Sequence, residues 1–288
     1  MTQPMKVWNQ CLFILKTVLL AFLVALGGSI PWSILAVANT KIGPSFPWSV
    51  PAMACYLWFY WQYLRGRGWP RSTAEMRHHN LRAGSLSKRV WGWSLLAGSL
   101  ALVSLTAFTS VVGRLIYMAQ APFPDLSRYS FITILSFIIM GAFVAGITEE
   151  AAFRGYMQAP IERRYGLLPA ILIVGIFFDF WHFNHAEVSL INLPYYLSVS
   201  AIYGILAYMT GSILPSVVLH VSGNALVDLL LWRRGPSSAA PLIWQSGISV
   251  SFLITVAEAL FFGIAAILVY KKLERVLRWE NHIHDCSI

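Results

Sequence analysis

Charge is scarce in this chain. Only 11% of its 288 residues are Asp, Glu, Lys or Arg, where an average globular domain carries about 25%. With 57% hydrophobic residues and a mean hydropathy of +0.63, the shortage excludes an ordinary soluble domain. Cysteine is scarce too: Cys11, Cys55 and Cys286 show no paired spacing, which excludes a disulfide framework or a CxxC site. Cys286 stands third from the end rather than fourth, so the tail is not expected to be a prenylation signal. HExxH is absent and so is GxSxG, which removes the commonest zinc-protease and serine-nucleophile signatures. Internal repeats and low-complexity segments are lacking. So is any Lys/Arg-rich helix with interleaved aromatics, and no nucleic-acid partner is expected. The net charge of +9 reads instead as the basic loops of a membrane protein.

What is present is a series of long apolar runs. A membrane span takes about 20 apolar residues, and eight runs qualify as candidates: 10–38 (bent near Gly27-Gly28 and Pro31), 48–64, 90–113, 130–152, 167–185, 190–209, 212–232 and 246–270. The fold expected is all-α: a polytopic bundle of about eight transmembrane helices forming a single transmembrane domain over 1–288. Lys6 and Lys16 stand in and before the first run, and no small-residue cleavage site follows cleanly, so this run reads as a span and not as a removable signal. Short connections after the fifth and sixth runs make those helices antiparallel neighbours.

Lys and Arg placement gives the orientation. With eight spans, one side receives Arg65, Arg67, Arg71, Arg77, Arg82, Lys88, Arg89, Lys271, Lys272, Arg275, Arg278, Lys6, Lys16, Arg154, Arg163 and Arg164. The other receives Lys41, Arg114, Arg128, Arg233 and Arg234. The imbalance puts both termini in the cytoplasm. The basic stretch 65–89 reads first as a topology signal, with contact to anionic membrane lipids as its other use. Trp181, Trp232, Trp244 and Trp279 fall near span ends, as interfacial anchors do.

The organising stretch is Ile147-Thr148-Glu149-Glu150-Ala151-Ala152-Phe153-Arg154. Adjacent carboxylates at the end of an apolar run are expensive, and ionisable residues in spans are functional candidates. Glu150 and Arg154 are four apart, share a helix face and can pair. Glu149 points about 100° away, without that partner. One neutralised carboxylate beside a second in a low-dielectric place is how a general base is made. The plainer reading is a helix leaving the bilayer with a charged end.

Partners appear in later runs. Phe178-Asp179-Phe180-Trp181-His182 lies in the fifth and His220-Val221-Ser222-Gly223-Asn224 in the seventh. His220 and Asn224 share a face, which Asp228 continues one turn on. Polar groups in lipid need partners, and one shared cavity satisfies them together. Glu149 and His182 lie about 16 residues either side of Tyr165-Gly166; a helical hairpin turning there puts both about 24 Å from the turn. The fourth helix must then continue past Arg154, which conflicts with a simple span of 167–185. Asp179 and His185 read as loop residues that could tune His182. Glu258 in the eighth run needs a partner. His78, His79, His282 and His284 read as solvated. Gly141, Gly146 and Gly175 allow close helix approach.

Glu149-Glu150-x-x-x-Arg154, Phe178-x-x-x-His182 and His220-x-x-x-Asn224, in this order, resemble the CPBP family: CAAX prenyl endopeptidases and bacteriocin-processing or immunity proteins, also called the Abi family of intramembrane proteases. The resemblance covers residues 130–230, with N-terminal helices over 1–129 and a C-terminal helix over 246–275. It implies Glu149 as general base activating a water with His182, and His220 and Asn224 as the pair stabilising the oxyanion. It implies Glu150 and Arg154 as a structural pair and Phe178 as the residue that positions His182. It implies hydrolysis without a covalent intermediate, on a membrane-embedded or lipidated peptide or protein, and with no metal or other cofactor. The alternative chemistry is zinc held by Glu149, His182 and His220. Two other functions stay open: a non-catalytic immunity or scaffolding protein of the same fold, and a proton-coupled transporter, whose usual inverted repeats are missing.

Overall fold

The structure is a computed structural model and describes residues 3–117, 126, 129–182, 192–234 and 241–286. The described residues form helices and connecting turns, with no strand among them. In order they are α1 (Gln3–Lys41), α2 (Ser49–Leu64), α3 (Ala74–Leu81), α4 (Lys88–Leu115), α5 (Phe131–Glu149), a π-helical stretch (Glu150–Gln158), α6 (Ala159–Tyr165), α7 (Leu167–Trp181), α8 (Leu193–Thr210), α9 (Leu214–Arg234), α10 (Ile243–Ser246) and α11 (Val250–Cys286). Each of the eight apolar runs holds a helix. Among the described residues, five stretches are long and apolar enough to cross a membrane: Val7–Lys41, Lys88–Leu115, Phe131–Tyr165, Leu214–Arg233 and Val250–Glu280. The chain is an all-α polytopic membrane protein.

The contacts gather the chain into two units. The first comprises 1–83, 123–170 and 220–235. Its core is Met53, Leu57, Met140 and Val144, covered by Trp32, Leu35, Val50 and Ile147. α1 runs through Pro31 without a break. A proline has no N–H for the carbonyl four residues back. That carbonyl belongs to Gly27, and the Tyr56 hydroxyl of α2 donates to it at 2.6 Å. The basic stretch after α2 is folded. The Arg77 guanidinium, 2% exposed, donates to the carbonyls of Tyr63 (2.5 Å), Pro70 (3.0 Å), Arg67 and Gly68 (both 3.3 Å).

The second unit comprises 84–122, 171–219 and 236–288. In it α4 packs along α11, where the Ser104 hydroxyl donates to Ala259 O at 2.7 Å. The outward face of α11 is apolar, with Leu253, Ile254, Leu260, Phe261, Ile264 and Leu268 exposed, as a lipid-facing helix requires. Trp244 and Trp279 are exposed, and Trp181 and Trp232 are half-buried.

Three expectations need adjusting. The fourth run does not stop at residue 152: helix continues through the π stretch to Tyr165, where Gly166 at φ 86° turns the chain into α7. Asp179 lies in α7 and is half-buried, not in an exposed loop. Glu258 is exposed on α11. His185 and the side chains of His282 and His284 lie outside the described residues.

Candidate functional site

α5 starts at Ser130, whose hydroxyl accepts the Thr133 N–H at 3.2 Å, a side-chain cap for an otherwise orphaned amide. The helix stays apolar up to Thr148. A Cβ added at Gly28 of α1 would lie 1.9 Å from Thr148 Cγ2, so the bare glycine is what lets α1 reach the residue beside Glu149.

At Glu150 the helix widens. From Glu150 to Gln158 it is π-helical, its amides reaching five residues back instead of four, a geometry that is rare and concentrates at functional sites. All nine residues are buried, and Glu150, Arg154 and Gln158 are fully so. Arg and Glu are almost never fully buried unless paired. Here Arg154 Nη1 lies 3.2 Å from Glu150 Oε1, the pairing that their spacing foretells.

His220 of α9 completes the cluster. Its Nδ1 lies 2.8 Å from Glu150 Oε1 and its Nε2 lies 3.7 Å from Glu149 Oε2. One nitrogen thus faces each carboxylate. An ionised carboxylate only accepts, so in the bond to Glu150 the Nδ1 carries the proton and Nε2 is the nitrogen presented to Glu149. The Nε2–Glu149 separation exceeds hydrogen-bond length. Helix spacing pairs Glu150 with Arg154; the structure adds His220 to both carboxylates. Asn224 lies one turn beyond His220 on α9, half-buried, with Asp228 a further turn on. Gly146 allows this approach, because a Cβ there would lie 2.5 Å from Val221 Cγ2 and 2.9 Å from Val221 N. The residue next to His220 therefore rests against α5 itself.

Phe178 and His182 form a second local cluster in the other unit. His182 Nδ1 is 2.8 Å from Phe178 O. A carbonyl accepts, so Nδ1 carries a proton and donates to it, and Nε2 is the nitrogen left for other contacts. The imidazole stacks on Tyr196 of α8 with centroids 4.6 Å apart and an interplanar angle of 24°. Phe178 meets it edge-on, also at 4.6 Å. Gly175 makes room: a Cβ there would lie 2.6 Å from Leu197 Cδ2 and 3.2 Å from Leu197 Cα. Gly146 and Gly175 are thus close-approach glycines as expected, whereas a Cβ at Gly141 would make only ordinary contact, 3.7 Å from Trp32 Nε1.

Sequence reasoning passed over Tyr196. Its signal was a Tyr195-Tyr196 pair opening an apolar run. It also passed over Gln158 and Glu162, which extend the Glu150-Arg154 spacing by two further steps of four. Among the described residues, no group of three or more His, Cys, Asp or Glu side chains is arranged to hold a metal ion.

These features define a class: an all-α membrane protein with a buried carboxylate pair, faced by a histidine and countered by an arginine. Residues 131–226 match the family model described as type II CAAX prenyl endopeptidase Rce1-like, which is the family that the three motifs resemble. The matched stretch is a third of the chain and contains Glu149, Glu150, Arg154, Phe178, His182, His220 and Asn224. Neither a curated protein nor a solved structure matches the chain.

Proposed function

We propose that this protein is an intramembrane endopeptidase that hydrolyses a peptide bond in a membrane-associated or lipid-modified peptide or protein. The observation that carries the reading is the His220 imidazole of α9 facing Glu150 at 2.8 Å and Glu149 at 3.7 Å, where α5 passes into a buried π-helical segment. A structural ion pair needs one carboxylate for Arg154. A ring nitrogen is turned towards the adjacent Glu149 carboxylate, and ionisable side chains within a span are functional candidates.

In this reading Glu149 takes a proton from a water as the water oxygen attacks the scissile carbonyl carbon. The carbonyl electron pair moves onto oxygen. That oxyanion accepts hydrogen bonds from His220 Nε2 and the Asn224 amide, donors preorganised for developing charge. Donation from Nε2 requires a ring protonated on both nitrogens, and the Glu150 carboxylate on Nδ1 is its counter-charge. Collapse breaks the C–N bond, and the leaving amine takes the proton from Glu149. The products are a carboxylate and an amine, with no covalent intermediate. The family resemblance gives His182 a share in activating the water.

No metal enters these steps; zinc on Glu149, His182 and His220 is the competing chemistry, and a chelator separates the two. The charge count supports cytoplasmic termini and substrate entry from the basic face, beside anionic lipid. The test is a panel of membrane-associated peptides, with and without a lipid on cysteine, incubated with the protein in vesicles made in H2(18)O and analysed by mass spectrometry. Hydrolysis puts 18O into the new carboxylate, chelator leaves the rate unchanged, and His182→Gln abolishes it. Absence of any cleavage by the folded protein across the panel, or rates that vanish with chelator and return with zinc, would refute the proposal.

A further inference from the structure

The π-helical stretch is held at its far end by groups that the reaction steps do not use. Gln158 Nε2 donates to Glu162 Oε2 at 3.0 Å. The Arg82 guanidinium grips the same carboxylate with two parallel bonds, Nη2 to Oε1 at 2.7 Å and Nη1 to Oε2 at 3.2 Å. This fork geometry is the strong form of an ion pair, and the side chains are only 15% and 7% exposed. Beside it, Arg163 Nη2 donates to Asn80 Oδ1 at 2.9 Å. A Cβ at Gly155 would lie 2.9 Å from Asn80 O, so the end of α3 rests on the π stretch itself. Arg82 terminates α3 in the left-handed region, at φ 52°. A non-glycine residue stays there at a cost, and only where its surroundings over-determine it.

Three contacts from Asn80–Arg82 therefore land on Gly155, Glu162 and Arg163, on a segment far away in sequence, with 80 residues separating Arg82 from Glu162 and 83 separating Asn80 from Arg163. The physical need for them lies in the π geometry. An α-helix is the cheaper fold for nine residues such as EAAFRGYMQ, and a π run persists only under tertiary constraint. Each residue of α-helix turns the chain about 100°. A slip of one residue in register would swing α6 relative to Glu150 by that angle and take Arg154, inside the π run, off the Glu150 carboxylate that also holds His220 Nδ1. Upstream, Thr148 on Gly28 and Gly146 on Val221 fix the phase of α5. Downstream, α1 adds ring contacts, Phe22 on Phe153 and Phe13 on Tyr165, and the Arg82–Glu162 fork adds the charged grip on α6.

We infer that the Arg82–Glu162 pair is a register lock: it holds Glu150–Gln158 in π geometry, and Arg82 and Glu162 are positioning residues for Glu150 and His220. The kinetic half of this inference rests on the proposed hydrolytic function; the structural half does not. It assigns a task to the basic stretch 65–89 beyond setting topology.

The test uses the full chain in lipid nanodiscs and reads kcat, KM and amide exchange of peptides spanning 150–165. Arg82→Gln and Glu162→Gln each lower kcat by about 10- to 100-fold, the cost of a small misplacement of reacting groups, with KM within about threefold. Both accelerate exchange in 150–165. The double swap Arg82→Glu with Glu162→Arg restores most of the lost kcat and the slow exchange, with the Gln158 amide turning its oxygen to the new guanidinium. Arg82→Lys, which keeps the charge and loses the fork, folds and loses about tenfold in kcat. Arg278→Gln, at the exposed pair with Glu274, changes nothing. Wild-type kcat and exchange in Arg82→Lys and Glu162→Gln, or a double swap no better than the single variants, would overturn the lock. If Glu149→Gln still cleaves, the hydrolytic reading falls while the exchange data still decide the lock.

Discussion

Replacing Arg154 by Met separates what the buried cluster does for stability from what it does for chemistry. Arg154 and Glu150 are both fully buried and 3.2 Å apart. Met keeps much of the volume and removes the charge. The Glu150 carboxylate then stays buried, facing His220 Nδ1 at 2.8 Å. Breaking one side of a buried ion pair costs about 3–5 kcal/mol, because the remaining charge has lost its compensation. For a chain of this size that is a fall in melting midpoint on the order of 10 °C. The double variant Arg154→Met with Glu150→Gln removes the stranded charge and keeps an acceptor for His220 Nδ1. Replacing both members of such a pair is often neutral, so the double variant regains most of the lost stability. It does not regain activity, because the counter-charge for a doubly protonated His220 has gone. The assay is thermal unfolding in one detergent, with cleavage measured on the same preparations. A single variant within about 0.5 kcal/mol of wild type, the range of ordinary surface changes, would refute the buried pair. A double variant with wild-type turnover would refute the role given to Glu150.

Two further outcomes follow from the packing. Gly146→Ala pushes Val221 and the α9 backbone away from α5, costs about 1–3 kcal/mol as overpacking does, and lowers turnover because His220 moves with Val221; unfolding and cleavage measured together check this. Tyr196→Phe keeps a ring against the His182 imidazole and retains most activity, while Tyr196→Leu loses up to about tenfold, the worth of one aromatic pair. Equal rates for the two variants would show that the stacking does not matter.

Much of this was legible in the sequence, and the remainder has identifiable causes. Apolar runs located the helices because lipid forces every backbone amide to be satisfied within its own segment. Glu150 and Arg154 were legible as a pair because spacing of four is a local rule. The π geometry was not, since nothing in Glu150–Gln158 breaks helical periodicity as a proline would. The grip of Arg82 on Glu162 was invisible for a different reason: two residues 80 apart carry no mutual spacing signal. Gly146 could be flagged as small, but its neighbour Val221, and with it the delivery of His220 to both carboxylates, depends on how α9 packs.

The most direct test is the kcat/KM of Glu149→Gln against wild type on one cleavable peptide, in the same vesicles and with matched melting midpoints. Loss of a positioned general base lowers the rate by about 10²- to 10⁴-fold, and the account predicts a fall of that size in a protein that remains folded. Cleavage at the wild-type rate would contradict it.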